Sequence, residues 1–272
     1  MSKNLHQQYY KKYFEGIDFR YLQSNDQKAP KEVVGRINGR NASLCASGLW
    51  TKMPSIECVD DKDCFELEVL YPGLVTGIGI NHEAKIEGEF KLGVHFDWTY
   101  GMPVVYGSSV KGVLRAWFKE FYDGSRDSYD YEMEIFEGKL RDTEAEKKKY
   151  GQNWEEKVKV TKNRIFIPKS IYDRDIFFDA VIAQAEKKGN GRILCSDSIT
   201  PHGGDNHDNP LKNPTPITFL KIASGCKLKF RFKLAGSEEE KELKRKLFKE
   251  ILTTVGVGAK TNVGYGQLKE AK

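Results

Sequence analysis

Residues 227–234, KLKFRFKL, alternate cations (Lys227, Lys229, Arg231, Lys233) with apolar side chains (Leu228, Phe230, Phe232, Leu234) without a break. Successive side chains on a strand point to opposite faces, so the segment reads as a strand with one apolar and one basic face. A helix follows at once in SEEEKELKRKLFKEILTTVG (237–256). Ser237 is placed to cap it, Glu240 completes a capping box, and Gly256 can end it. An apolar strand face must be covered by other elements, which points to an α+β layer.

The rest of the chain fits that frame. CFELEVLYPG (64–73) alternates before a Pro-Gly turn and reads as a strand, and residues 74–98 are glycine-punctuated and hairpin-like. A helix is expected from about Ser108 to Phe121, and strand character returns in RIFIPKSIY (164–172) and IFFDAVI (176–182). ITFLKIASGCKLKFRFKLAG (217–236) reads as two strands around a Ser-Gly turn. Residues 1–25 start as a helix, 26–48 read as a loop, 123–163 as a charged insertion, and 197–216 hold a long loop. No fixed-period repeat or Gly/Ser linker divides the sequence, so residues 1–272 are expected to form one elaborated α+β domain. Its antiparallel sheet would carry helices on one face.

Composition narrows the function classes. No run approaches the roughly 18 apolar residues that span a bilayer, and the N-terminus lacks an apolar secretory core. Five cysteines with no C-x-x-C pair read as reduced thiols in the cytoplasm, with no metal site and no cofactor implied. A net charge of +5 permits a polyanionic partner without requiring one.

The stretch YGSSVKGVLRAWFKEF (106–121) puts small polar residues and cations at a helix start, where the dipole favours an anion. Val110, Val113, Leu114, Trp117, Phe118 and Phe121 form an apolar stripe, while Lys111, Arg115 and Lys119 share a neighbouring one. This suits first a docked helix with a solvated basic edge, and as the alternative a phosphate site at the helix N-terminus. SSVK (108–111) fits an acyl-enzyme S-x-x-K, but the companion S-D-N and K-T-G elements are missing. GVGAKTNVGYGQL (256–268) invites comparison with a P-loop, yet Ala259 separates Gly258 from Lys260 and the glycines follow a helix. Asp197, His202, Asp205, His207 and Asp208 are metal-ligand types on a loop without fixed spacing, where a hydrated polar loop is the simpler reading. What remains is a set of cations beside glycine turns, with Tyr265 placed to stack a base, a combination that binds single-stranded RNA.

GMPVVYGSSVKGVLRAWF (101–118) resembles the P-x-x-x-G-S-S-x-K-G-x-x-R signature of the RAMP proteins of CRISPR systems, and GVGAKTNVGYGQL is similar to their C-terminal glycine-rich loop. DSITPHGGDNHDNPLKNPTPITFLKI (197–222) resembles the D-x-x-T-P-H … N-P-x-P-x-x-F-L block of the sixth-subunit family of type III-B (Cmr) effector complexes. Gly203 stands where that family usually has a tyrosine or phenylalanine. The resemblance implies a ferredoxin-like core and a non-catalytic subunit at one end of a backbone filament. Such a subunit holds the 3′ part of the CRISPR RNA and its duplex with target RNA. It also implies neighbours: backbone RAMP subunits, the terminal RAMP subunit and the small helical subunit, with no membrane. RNA contact would fall on Ser108, Ser109, Lys111, Gly112 and Arg115. Further contacts would fall on His202 and on Gly258, Lys260, Thr261, Asn262, Gly264, Tyr265 and Gly266. Gly112 would allow close approach of the RNA or of the glycine loop. The alternative is a RAMP endoribonuclease that uses a histidine such as His202 as general acid or base.

Overall fold

The computed structural model describes residues 4–24, 27–77, 84–91, 93–120, 174–187, 191–200 and 216–271. The charged insertion, RIFIPKSIY, and residues 201–215 of the long loop, His202 among them, lie outside these residues. The strands are β1 (Phe65–Val69), β2 (His95–Phe96), β3 (Pro103–Val105), β4 (Ile176–Gln184), β5 (Leu194–Ile199), β6 (Ile217–Ile222), β7 (Lys227–Lys233) and β8 (Leu268–Glu270). The helices are α1 (Lys31–Leu44), α2 (Gly107–Glu120) and α3 (Glu238–Val255).

A six-stranded antiparallel sheet has the order β2-β3-β4-β7-β1-β8, and β5 pairs with β6 in a second sheet. Within the large sheet, β1, α2, β4, β7, α3 and β8 follow the chain order β-α-β-β-α-β, with β8-β1-β7-β4 in space. That is the ferredoxin-like arrangement. The α+β expectation with an antiparallel sheet therefore holds.

β7 is the strand that its alternation predicts, and it lies between β1 and β4. Leu228, Phe230 and Phe232 are fully buried, and Phe232 meets Phe177 of β4 and Phe248 of α3 at ring distances of 5.7 and 5.4 Å. The opposite face is not the free basic stripe that the sequence suggests. Residues 49–61 cross it: Trp50 Nε1 donates to the Ile182 carbonyl and Lys229 pairs with Asp61 at 2.6 Å. Arg231 is buried and donates through Nε to the Asp179 carbonyl.

Two other expectations are corrected, the loop at 31–44 and the burial of Trp117. Residues 31–44, expected as loop, form α1, which buries Val33, Ile37 and Leu44. Two glycines and two asparagines give this segment weak helix propensity, and tertiary contacts override it. Arg40 donates to the carbonyls of Tyr13 and Glu15, and Asn41 accepts from the Tyr13 hydroxyl at 2.7 Å. Within 74–98 the described residues give the short β2 and single bridges from Leu74 to Ile222 and from Val75 to Ala259, and the Gly77 amide donates to the Gly93 carbonyl at 3.0 Å. The two strands expected around the Ser-Gly turn are β6 and β7, and the turn, with Gly225 at φ +85°, passes the chain from one sheet to the other. Trp117, assigned to the apolar stripe of α2, is 42% exposed.

Helix α3 begins after Ser237 and ends at Val255, with Gly256 at φ +75° as its left-handed stop. The β7–α3 junction is held by a buried ion pair. Lys244 Nζ donates to Asp175 Oδ1 at 2.9 Å and to the Ala235 carbonyl at 2.7 Å, and Asp175 Oδ1 also accepts the Ala235 amide. Asp175→Ala leaves the Lys244 charge buried and alone, and is expected to lower the urea-unfolding free energy by about 3–5 kcal/mol. Adding Lys244→Met should restore a large part of that stability.

Candidate nucleic-acid interface

The first RAMP-like motif folds as a strand, a one-residue turn and a helix. β3 ends at Val105, Tyr106 stacks on His95 at 4.2 Å with a 13° interplanar angle, and the Tyr106 carbonyl accepts the amides of Ser109 and Val110. Gly107 is the position where the backbone needs glycine: a Cβ there would lie 2.1 Å from the Phe177 carbonyl oxygen. Gly112, by contrast, has no atom of the described residues within 4 Å of a Cβ placed on it. The expected tight approach of the C-terminal loop at Gly112 is therefore not made.

Val110 and Leu114 are buried against β4, which leaves Lys111 partly exposed and Ser108 and Arg115 exposed. Lys111 Nζ stands 5.9 Å from the centre of the Phe177 ring. Among the described residues neither Lys111 nor Arg115 has a carboxylate partner. They are four residues apart and so share one helix face. The helix N-terminus itself is already served from within, because the Gly107 amide donates to Asp179 Oδ1 at 2.8 Å. An intramolecular carboxylate thus occupies part of the site expected for an outside anion.

The C-terminal glycine loop is a backbone crossing. A Cβ on Gly258 would stand 2.4 Å from the Val75 carbonyl oxygen, and one on Gly266 would stand 2.0 Å from that of Val257. Both glycines also have positive φ, so an L side chain is excluded twice over. The crossing lifts out a short turn at Thr261–Val263, flanked by Lys260 at φ +62° and Gly264 at φ +94°. Asn262 is exposed and Lys260, Thr261 and Gly264 are half-exposed.

Tyr265 points inward. It is 6% exposed, meets Phe219 edge-on at 5.5 Å, and donates its hydroxyl to Asp197 Oδ2 at 2.8 Å. The expected stacking role for Tyr265 is thereby corrected, since its ring is enclosed. Lys221 on β6 also pairs with Asp197. Burial pushes the Asp197 carboxyl up, but bonds from Lys221, Tyr265 and the Ser198 amide more than reverse this, so it lies below its ordinary value. Burial and the bond to Asp197 hold the Tyr265 hydroxyl well above its ordinary range, so it stays a donor.

Two of the three motifs are therefore joined: Asp197, at the head of the D-x-x-T-P-H block, latches the glycine loop through Tyr265. The α2 residues contact β4 and α3 instead. His202 lies outside the described residues. Of the five suggested metal ligands only Asp197 is described, and it is engaged by Lys221 and Tyr265. Sequence reasoning missed Gly107, Asp179 and the Asp197–Tyr265 link. Only Gly107 carried a signal, as the residue between strand and helix.

Residues 66–269 match the family described as the RAMP superfamily. The chain belongs to that superfamily. A curated relative, the CRISPR system Cmr subunit Cmr6 of Pyrococcus furiosus, is 28% identical over 231 residues. The match covers 72% of this chain and 65% of the relative, so the chain spans just under two thirds of that protein's length. Among solved structures, a chain in the cryo-EM structure of the Type III-B Cmr-beta bound to cognate target RNA shares the fold. Its TM-score is 0.51 at 18% identity, covering 93% of this chain and 79% of that one. The crystal structure of Cmr6 from Pyrococcus furiosus gives a TM-score of 0.43 at 22% identity, covering 76% of this chain and 97% of that one.

The depressed Asp197 carboxyl has a pH signature. A group whose folded pKa is lowered stabilises above its unfolded value and loses that contribution as pH falls through the folded value. Wild-type stability should therefore drop below about pH 4. Asp197→Asn should show less stability at neutral pH and a smaller drop over that window, read from urea midpoints at stepped pH.

Proposed function

We propose that this chain is a non-catalytic RNA-binding subunit of a type III-B Cmr effector complex, folded as one elaborated RAMP domain. In this reading it holds the 3′ part of the CRISPR RNA and its duplex with target RNA at one end of the backbone filament. Its partners are the backbone RAMP subunits, the terminal RAMP subunit and the small helical subunit. The carrying observation is the pair Lys111 and Arg115, uncommitted among the described residues, on a helix whose N-terminus is packed against β4 within a RAMP-family fold. Ser108 and Ser109 supply hydroxyls at the same end of α2, and the turn of Lys260, Thr261 and Asn262 between Gly258 and Gly264 supplies a second backbone-tracking site. The 28% identity to Cmr6 supports the choice of subunit. Among the described residues no helix is long and apolar enough to cross a membrane.

Cations that meet phosphates set the salt dependence of binding. Lys111→Ala with Arg115→Ala is expected to weaken binding of CRISPR RNA and to flatten the plot of log affinity against log salt. The slope should fall by about 0.7 for each single-strand phosphate that no longer meets a cation. Unchanged affinity and slope in a folded double variant would defeat the reading. Precursor CRISPR RNA incubated with the chain is expected to stay intact, whereas specific cuts that vanish in His202→Ala would make it an endoribonuclease.

A further inference from the structure

Tyr71 is 86% exposed, the most exposed of the large hydrophobic residues described. An isolated exposed ring needs no explanation by itself. This one, however, sits on a turn fixed at both ends. The Gly73 amide donates to the Leu70 carbonyl at 2.9 Å, the Leu70 amide to the Gln267 carbonyl at 2.9 Å, and the Gly266 amide to the Gly73 carbonyl at 2.8 Å. The turn is thus hydrogen-bonded to the segment that leaves the glycine loop. Its Pro72 Cδ lies 3.8 Å from the Cβ position of Gly264, so the turn that carries Tyr71 and the glycine loop are neighbours. On the loop side, Val263 is 59% exposed and Lys260 is free of carboxylate partners among the described residues.

We propose that Tyr71 is a base-stacking residue for single-stranded RNA, working with Lys260 at the mouth of the glycine loop. The inference rests on the RNA-binding reading above and moves the stacking role from the enclosed Tyr265 to a residue that no motif includes. A ring on a rigid turn loses little freedom when a base stacks on it, and a nearby cation and open turn backbone can follow the phosphates. The occupant is therefore an unpaired nucleotide. A base inside a duplex has no free face to offer.

The test uses the full chain and fluorescein-labelled ten-nucleotide oligoadenylate and oligouridylate, read by anisotropy at several salt concentrations. Tyr71→Ala is expected to weaken oligoadenylate binding about tenfold, or about 1.4 kcal/mol, without changing the salt slope. Tyr71→Phe should bind like wild type and Tyr71→Leu like Tyr71→Ala. Lys260→Ala should instead lower the slope. The wild-type preference for oligoadenylate over oligouridylate should shrink in Tyr71→Ala, since adenine stacks more strongly. If Tyr71→Ala binds like wild type while Lys111→Ala/Arg115→Ala is weakened, the stacking role fails and the RNA-binding reading stands. If Tyr71→Phe is as weak as Tyr71→Ala, or Tyr71→Ala alters the slope, the ring does not act by stacking. No binding of either oligonucleotide or of CRISPR RNA by wild type overturns the reading and the inference together.

Discussion

Where α3 gives way to β8, main chain passes main chain too closely for any side chain. Gly258 lies against the Val75 carbonyl and Gly266 against that of Val257, and the Ala259 amide donates to the Val75 carbonyl at 2.7 Å. This crossing sets where β8 joins β1, anchors the end of the large sheet, and brings residues 70–75 beside the glycine loop. The surface turn at Thr261–Val263 rises from this crossing and is closed by its own hydrogen bonds, from the Val263 amide to the Lys260 carbonyl and from the Gly264 amide to the Thr261 carbonyl, each 3.1 Å. The glycines thus have a structural duty first. Whatever the turn binds, it binds on geometry that folding has already imposed.

Charge follows a similar logic. Much of the basic character of the chain is consumed internally. Lys244 and Arg245 fasten the β7–α3 junction to Asp175 and Asp63, Arg231 donates to a carbonyl, and Lys221 holds Asp197. A buried cation without a partner is costly, so these pairings are conditions of the fold. Among the described residues Lys111 and Arg115 on α2 and Lys260 in the glycine loop have no carboxylate partner. A net charge of +5 is therefore a poor guide to that interface, and the position of the unpaired cations is a better one.

The strand at 227–233 and the helix at 238–255 were legible because alternation and capping are local signals. α2 was legible for the same reason, although Trp117 escaped its stripe into solvent. α1 was not, because its helix is sustained by Tyr13, Glu15 and Gly88 from elsewhere in the chain. The assignment of β6 and β7 to different sheets was also hidden, since a Ser-Gly turn looks alike whether it closes a hairpin or changes sheet. On α2, Arg115 is exposed and Lys111 partly exposed, in keeping with the periodicity that set them apart from the apolar stripe. That Tyr265 is enclosed and Tyr71 exposed depended on tertiary packing, which residue type does not encode.

By itself the sequence determined the two-faced strand, the capped helix after it, the cationic helix start and the glycine-dense tail, because each is written within a few turns or residues of chain. Only the tertiary structure decided which of those charges stay free and which backbone needs glycine. It set Asp179 against the Gly107 amide, Asp197 against Tyr265 and Val75 against Gly258, pairs 72, 68 and 183 residues apart. The physical reason is that hydrogen bonding and close packing act across space, and no local pattern records a partner that distant.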